Sequence, residues 1–423
     1  MFYLLFIFYL LLFCWLITRI KFFTQSGLSN RILILLFLLR VVALFASSYF
    51  NLYYYPFSDS LSFHNFGIEE YHLLFSNTRE YFTNIFQDSH QNHYSGFLDT
   101  TKSFWNDTRS NLIIKMLSIF DIFSGKNFFI NTLFYNFLVF FGPVALYKVF
   151  IRILPDSFYQ LIFCIFILPS ALFFSTMIHR DGLTLLALAM IIYHLFFMMN
   201  NRQFSWKRML VIMFFLLLIL LLRNFVFITL IPALLAWLIA QKKPKYAFLT
   251  FISVYILVAI LFFFSGFISP KTDLPKYVSE RQTAFIEISK QGASTINAYP
   301  LFPNFKSFFY NAPQAFNHSL MRPYLTEIHN FLYIPFALEI ILYEILFLLF
   351  IFYRKRNLII HPLIYFCIFF SLSMFMVIGY TVPIIGAIAR YRSIYFIFLL
   401  IPFIGYTDWQ KLLMTFQIKK IKI

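Results

Sequence analysis

Charge is what this chain has least of for its length. Asp, Glu, Lys and Arg make up only 12% of its 423 residues, about half the share of an ordinary soluble domain. Apolar residues make up 61%, and no soluble fold of this size has enough interior to hide them. The solvent that suits such a sequence is a bilayer. Glycine is also scarce, at 11 residues, and there is no Gly-rich phosphate loop, no CxxC pair and no HExxH. A soluble nucleotide-dependent enzyme therefore has no support. The three cysteines, Cys14, Cys164 and Cys367, each sit in an apolar run. They read as small buried hydrophobes rather than disulfides or metal ligands. No charge precedes the apolar stretch Phe2–Ile17, and no small-residue cleavage site follows it. It reads as a membrane helix with its N-terminus outside, not as a cleaved signal. The 63 Phe and 27 Tyr accompany the shortage of Gly in the way AT-rich coding sequence dictates, so the Phe excess is not a functional sign.

What is present is a succession of apolar runs, each about 20 residues long, as a helical span requires. The runs predict an all-α polytopic membrane protein with about 11 transmembrane helices and two long outer loops, a single integral membrane domain over 1–423. The candidate spans are 2–18, 32–50, 128–150, 158–176, 183–199, 209–223, 225–241, 246–267, 331–353, 358–379 and 393–407. Those at 209–223 and 225–241 are short and flank Arg223-Asn224, so they also fit one broken hairpin. Leu112–Phe123 is apolar but too short to span, which makes it an interfacial or re-entrant helix.

The net charge of +17 follows from topology. Alternate connecting segments carry Arg19, Lys21 and Arg31; Lys148 and Arg152; Arg202, Lys207 and Arg208; Lys242, Lys243 and Lys245; Arg354, Lys355 and Arg356; and Lys411, Lys419, Lys420 and Lys422. Only Asp156 and Asp408 oppose them. Under the positive-inside rule these segments are cytoplasmic, which puts the N-terminus outside and the C-terminus inside. The basicity is an orientation signal and not a nucleic-acid surface. The long segments at 50–127 and 268–330 then lie outside. So do the short turns His179-Arg180-Asp181-Gly182, Arg223-Asn224 and Gly386–Arg392.

Polar variety concentrates on that outer side. Asp59, in Tyr55-Pro56-Phe57-Ser58-Asp59-Ser60, sits at a membrane exit where a carboxylate can act as general base. His64, five residues on, is its candidate partner. Asp59 is equally suited to capping the helix that follows. Arg180 at head-group depth suits a lipid phosphate, with Asp181 orienting it or capping the next helix; a plain polar turn explains both residues as well. Arg223, Arg390 and Arg392 run against the positive-inside trend. With Arg180 they would suit a pyrophosphate if they converged, while snorkelling to outer head groups is the bland alternative. Arg40, Glu339 and Glu344 lie within spans, at about 2.5–3.5 kcal/mol each near the bilayer centre; an Arg40–Glu344 pair is the economical arrangement. His90-Gln91-Asn92-His93 has a metal-binding spacing but no matching pair, so no metal ligand is assigned.

Several of these features resemble bacterial polysaccharide-assembly proteins, namely the O-antigen polymerase and EpsG-like group and the broader GT-C glycosyltransferases. They are the outer-loop motif around Asp59, the run Leu168-Pro169-Ser170-Ala171-Leu172-Phe173-Phe174-Ser175 into Arg180-Asp181-Gly182, and Arg390-Tyr391-Arg392 entering a late span. Departures exist: the extra N-terminal span, and no paired acidic residue at Asp59. They favour the polymerase-like side of the resemblance. The resemblance implies glycosyl transfer or polymerisation on the outer face of the bacterial inner membrane, with sugars carried on polyprenyl phosphate or pyrophosphate. Asp59 and His64 would serve as the base side, and Arg180, Arg223, Arg390 and Arg392 would serve the phosphates. Membrane lipids and other polysaccharide-assembly proteins are the expected partners. No cofactor is indicated outright, and a divalent metal stays an open option. A lipid-linked oligosaccharide flippase or transporter, and a non-catalytic subunit of an envelope complex, are the competing readings.

Overall fold

In a bilayer the main chain must bond its own polar groups, and long apolar runs with few breakers do so as helices. The computed structural model bears this out over the residues it describes: 2–54, 58–84, 104–200, 204–268, 272–289, 294–327, 331–355 and 359–415. Among the described residues there is no strand, only isolated bridges that pair Thr295 with Ile384 and Arg354 with Thr407. The chain divides into two compact units. One comprises residues 1–152 and 165–227; the other comprises 153–164 and 228–423.

In the first unit, α1 (Phe2–Arg19), α2 (Lys21–Thr24) and α3 (Asn30–Tyr53) lead into the segment expected as an outer loop. That segment is largely helical: α4 (Asp59–Ser76), α5 (Thr78–Thr83) and α6 (Phe104–Ser124). α6 is the predicted non-spanning helix, longer than the Leu112–Phe123 stretch, and it packs on α4. Next comes α7 (Phe128–Ile153). The chain then passes α8 (Phe158–Ile162), which belongs to the second unit, and a π-helical turn (Phe163–Ile167), and continues in the first unit with α9 (Pro169–Thr176), α10 (Arg180–Asn200) and α11 (Trp206–Leu222). Phe63, Ile113, Leu117, Tyr135, Val139, Ile178, Leu183 and Leu222 form one buried cluster that joins α4, α6, α7, α10 and α11. Gly142 is why α7 and α10 lie so close, since a Cβ there would stand 2.9 Å from the Leu186 Cα.

The second unit takes most of α12 (Asn224–Ala240), then α13 (Ala247–Ile268), α14 (Leu274–Ser289), α15 (Phe305–Phe316), α16 (Ile334–Tyr353), α17 (Pro362–Thr381), α18 (Ile385–Tyr406) and α19 (Trp409–Thr415). α17 is its hub, with α13, α14, α15 and α18 packed on it. The ends of α16 and α18 are tied by main-chain bonds, Lys355 N to Tyr406 O at 2.8 Å and Asp408 N to Tyr353 O at 2.6 Å.

Among the described residues, 8 helices are long and apolar enough to cross a membrane, or 9 if the pair Phe158–Ile167 and Pro169–Thr176, bent by 44°, is one span. Length and hydropathy thus fall short of the expected count of about 11. The shortfall has identifiable causes. Pro169 breaks the run at 158–176, and Arg223 interrupts 209–241 to leave two helices of 17 residues each. The opposite departure occurs at α18. The expected outer turn Gly386–Arg392 contains no breaker strong enough to stop a helix, and it forms the first turns of α18.

Arg40, in the middle of α3, shows how polar groups are handled inside the first unit. It is 3% exposed. Its Nη1 donates to Ser175 Oγ at 3.2 Å, and its Nη2 donates to Asn136 Oδ1 and Ser175 O, both at 3.1 Å. The Arg40–Glu344 pair expected from sequence would run between the two units; within its own unit Arg40 already meets uncharged acceptors. Arg40→Ala should orphan these acceptors at about 1–3 kcal/mol each and lower the unfolding temperature in detergent, with Arg40→Lys in between. Fluorescence-detected size-exclusion thermostability reads this out. An Arg40→Ala protein as stable as the parent would mean that other donors serve Ser175.

Candidate functional site

The turn between α9 and α10 organises the polar residues of the first unit. A helix end leaves carbonyls without intrahelical partners, and here water is scarce. Four carbonyls along the turn are met by buried side chains. Arg40 donates to Ser175 O, and Asn136 Nδ2 to Thr176 O at 2.9 Å. Ser60 Oγ donates to Ile178 O at 3.0 Å, and Tyr135 Oη makes a short bond to His179 O. Gly182 follows from this packing. A Cβ there would collide with the Tyr135 hydroxyl and stand 2.6 Å from Ser175 O.

The turn presents His179 between two carboxylates. Its Nε2 lies 2.9 Å from Asp59 Oδ2, and its Nδ1 lies 2.8 Å from Asp181 Oδ2. The first contact is a directed hydrogen bond; the second is close but off the ring's N–H direction. Asp181 Oδ1 in turn accepts a short bond from Arg223 Nη2. The result is a chain, Asp59–His179–Asp181–Arg223. Asp181 and His179 are buried, with side chains 1% and 5% exposed, whereas Asp59 is 52% exposed. Both aspartates stand in the first turn of a helix, α4 or α10, where the helix dipole favours negative charge. Arg223 is the single residue between α11 and α12, so the helix break places its guanidinium.

This arrangement holds one imidazole between two carboxylates. A neutral imidazole donates from one nitrogen and accepts at the other, and an ionised carboxylate only accepts. With Nε2 bonded to Asp59, the other ring nitrogen, Nδ1, faces the Asp181 oxygen. Asp181 is held by Arg223, the ring is bonded to Asp59, and the half-exposed Asp59 is where a hydroxyl could be engaged. The division of roles is the orienting-carboxylate logic of acid–base triads.

The expected partnership of Asp59 with His64 is not formed. Five residues along a helix turn the side chain by about 140°, so His64 points to another face of α4. It is buried there, with Nδ1 3.3 Å from Asn131 Nδ2 and its ring 5.3 Å from that of Phe128. Asn131 also donates to Asp121 Oδ1 at 2.7 Å. Burial raises the Asp121 carboxyl above its ordinary range against the bonds from Asn131 and Ser124. This Asp121–Asn131–His64 cluster was not legible as a unit in the sequence.

The expected set of outer arginines divides between the units. In the first, Arg223 is paired as described, and Arg180 donates to Ser110 Oγ at 3.0 Å with its guanidinium 5.6 Å from the Phe63 ring. In the second, Arg392 is 3% exposed and donates to Ser319 O at 2.8 Å. Arg390 is half-buried, its Nη2 3.3 Å from Tyr391 Oη. Glu339 is buried and accepts a short bond from Tyr343, and Glu344 is half-buried. Among the described residues no three His, Cys, Asp or Glu side chains group as a metal set. His90-Gln91-Asn92-His93 and Tyr55-Pro56-Phe57 lie outside the described residues.

The fold and this polar chain define a multi-pass helical membrane protein with a carboxylate–imidazole–carboxylate–guanidinium constellation. Set against known proteins, the chain matches no family model, no curated protein and no solved structure.

The buried His64 makes a pH prediction. Burial pushes its ring from 6.5 down to about 4, so between these values the unfolded chain binds a proton that the folded chain refuses. Its contribution is full above the unfolded value of 6.5 and is lost as pH falls towards 4. Asp121 acts in the opposite sense, so the measurement is the difference in unfolding temperature between parent and His64→Gln as a function of pH. That difference should shift in favour of the variant on acidification from neutral pH. A pH-independent difference would remove His64 from the acid response.

Proposed function

We propose that this protein carries out glycosyl transfer or polymerisation of polyprenyl-linked sugars on the outer face of a bacterial inner membrane, in the assembly of surface polysaccharide. The observation that carries this reading is the half-exposed Asp59 backed by the buried chain His179–Asp181–Arg223. The reading also rests on the resemblance of the Asp59, Arg180-Asp181-Gly182 and Arg390-Tyr391-Arg392 segments to polysaccharide polymerases. It takes the orientation set by the basic segments, with the N-terminus outside and the C-terminus cytoplasmic.

In this proposal Asp59 accepts the proton of the acceptor sugar's hydroxyl. The oxygen bonds to the anomeric carbon of the donor, and the bond from that carbon to the carrier phosphate breaks with its electron pair on the phosphate. His179, held by Asp181, steadies the charge on Asp59. Arg180, beside this chain in sequence, is the first-unit cation suited to the leaving phosphate. Of the two expected arginines in the second unit, Arg390 is better placed than the deeply buried Arg392 to reach an anion. No soluble nucleotide sugar is required. A flippase would need intramembrane charges such as Arg40, Glu339 and Glu344; Arg40 is bonded to Asn136 and Ser175, and Glu339 accepts from Tyr343.

The test is complementation of a deletion in the native host with Asp59→Asn, His179→Gln and, as a surface control, Glu280→Gln. Glycan chain length, lipid-linked intermediates and protein level are read together. Asp59→Asn should cut polymer formation by about 10²–10⁴-fold at normal protein level, His179→Gln should fall between it and the parent, and the control should match the parent. Full-length glycan from both site variants would overturn the proposal. Repeat units trapped inside would point to a flippase, and intact glycan with a broken assembly to a structural subunit.

A further inference from the structure

We propose that α15 is an interfacial helix whose aromatic face lies in the boundary between head groups and acyl chains, at the membrane face where α13 and α17 both end. The argument concerns the second unit alone and does not depend on the enzymatic reading.

The depth of α15 is set by its attachment. Its main chain rests on the last turn of α17, where the Ala315 carbonyl occupies the space a Cβ on Gly379 would need. Tyr380 Oη, one residue on, donates to Phe308 O at 2.7 Å. On the α13 side, the rings of Phe262 and Phe263 each lie 5.5 Å from that of Phe308, and the Phe263 and Phe305 rings are 5.2 Å apart. α13 and α17 are both long and apolar enough to cross a membrane. A helix fastened to the final turns of both is held at the membrane edge, and both spans must leave on the same face.

The outward face of α15 is aromatic. Phe308 and Ala315 are buried, while Phe305, Phe309 and Tyr310 are 64%, 66% and 70% exposed. Its polar side chains are turned to the chain itself. Asn304 caps the helix by accepting from Ser307 N at 2.8 Å, Gln314 accepts from Tyr299 N at 3.0 Å, and Asn311 donates to Pro300 O at 3.4 Å. Those bonds lay residues 299–302 along the helix, where Tyr299 and Phe302 extend the same exposed surface.

The occupant of that surface is lipid, because the surface is continuous with one that already needs lipid. α13 buries little of its apolar length, and Phe264, Phe267 and Ile268 at its end are exposed. Phe305 adjoins this end through Phe263. An amphipathic helix with aromatics on its apolar side and a lysine, Lys306, to snorkel towards phosphates is suited to that boundary. Water would leave the patch unpaid for.

The test uses nitroxide labels on the full chain in lipid nanodiscs, in a Cys14→Ser background since Cys164 and Cys367 are buried. Labels go at Phe309→Cys, at Ile260→Cys on α13 as a lipid reference, and at Lys276→Cys on α14 as an aqueous reference. The Phe309→Cys label should be reached by oxygen but shielded from a water-soluble nickel chelate, at a depth of about 5–10 Å below the head groups. Chelate access equal to that at Lys276→Cys would overturn the proposal and mark an aqueous platform, such as one for sugar rings. Shielding from both probes would also overturn it and mark a protein surface.

Discussion

The structure of the first unit depends on carbonyl oxygens at one helix end. α9 ends at Thr176, and the carbonyls of Ser175, Thr176, Ile178 and His179, along the turn into α10, each accept from a buried side chain. The donors come from α3, α4 and α7, as Arg40, Ser60, Asn136 and Tyr135. A turn bonded to three separate helices has little freedom. Its position fixes where His179 stands, and the crowding around Ser175 O and Tyr135 Oη leaves room for no side chain at residue 182. The precision of the polar chain is therefore a by-product of solving a main-chain problem.

A second constraint acts on charge. Asp181 and Arg223 are both buried, and removing either partner would leave an uncompensated ion. Each is supplied by an interruption in helical structure, Asp181 by the start of α10 and Arg223 by the break between α11 and α12. These interruptions weaken the chain's resemblance to a simple succession of long spans, and they are also what brings charged groups together. Only Asp59, at the far end of the chain, keeps half its surface open. The arrangement thus grades from a fixed interior to a half-exposed carboxylate.

How much of this the sequence discloses varies with the physical scale. Apolar runs and basic segments are legible because lipid and membrane topology act on composition over about 20 residues. The interruption at Arg223 is legible too, since it leaves two short runs, whereas Pro169 changes one residue in a window and leaves its average apolar. Asp59 stands out by its place at a membrane exit, but its partner does not. His64 is near in sequence and turned away by helix geometry; His179 is 120 residues distant and brought in by a turn. The 3.6-residue period alone argues against His64, whereas nothing local points to His179. α15 was hidden for another reason. It is clearly amphipathic, but at 12 residues it falls far short of a span and sits in a segment rich in Pro, Asn and aromatics that reads as loop.

The arginines show why position along the chain is a poor guide to role. Arg40, Arg180, Arg223, Arg390 and Arg392 look alike in sequence, as costly cations kept where lipid should remove them. Their acceptors separate them. Arg40 and Arg392 reach main-chain carbonyls at irregular points, Ser175 at the end of α9 and Ser319 in the π-helical turn after α15. A planar guanidinium suits this work because it offers several donors in a fixed fork and stays charged when buried. Arg223 belongs to an ion pair. Arg180 and Arg390 are only half-buried, against an aromatic ring each, and that geometry leaves part of each cation facing outward. Charge is therefore accommodated here in at least three ways, by main-chain carbonyls, by a buried ion pair and by half-buried packing against an aromatic ring.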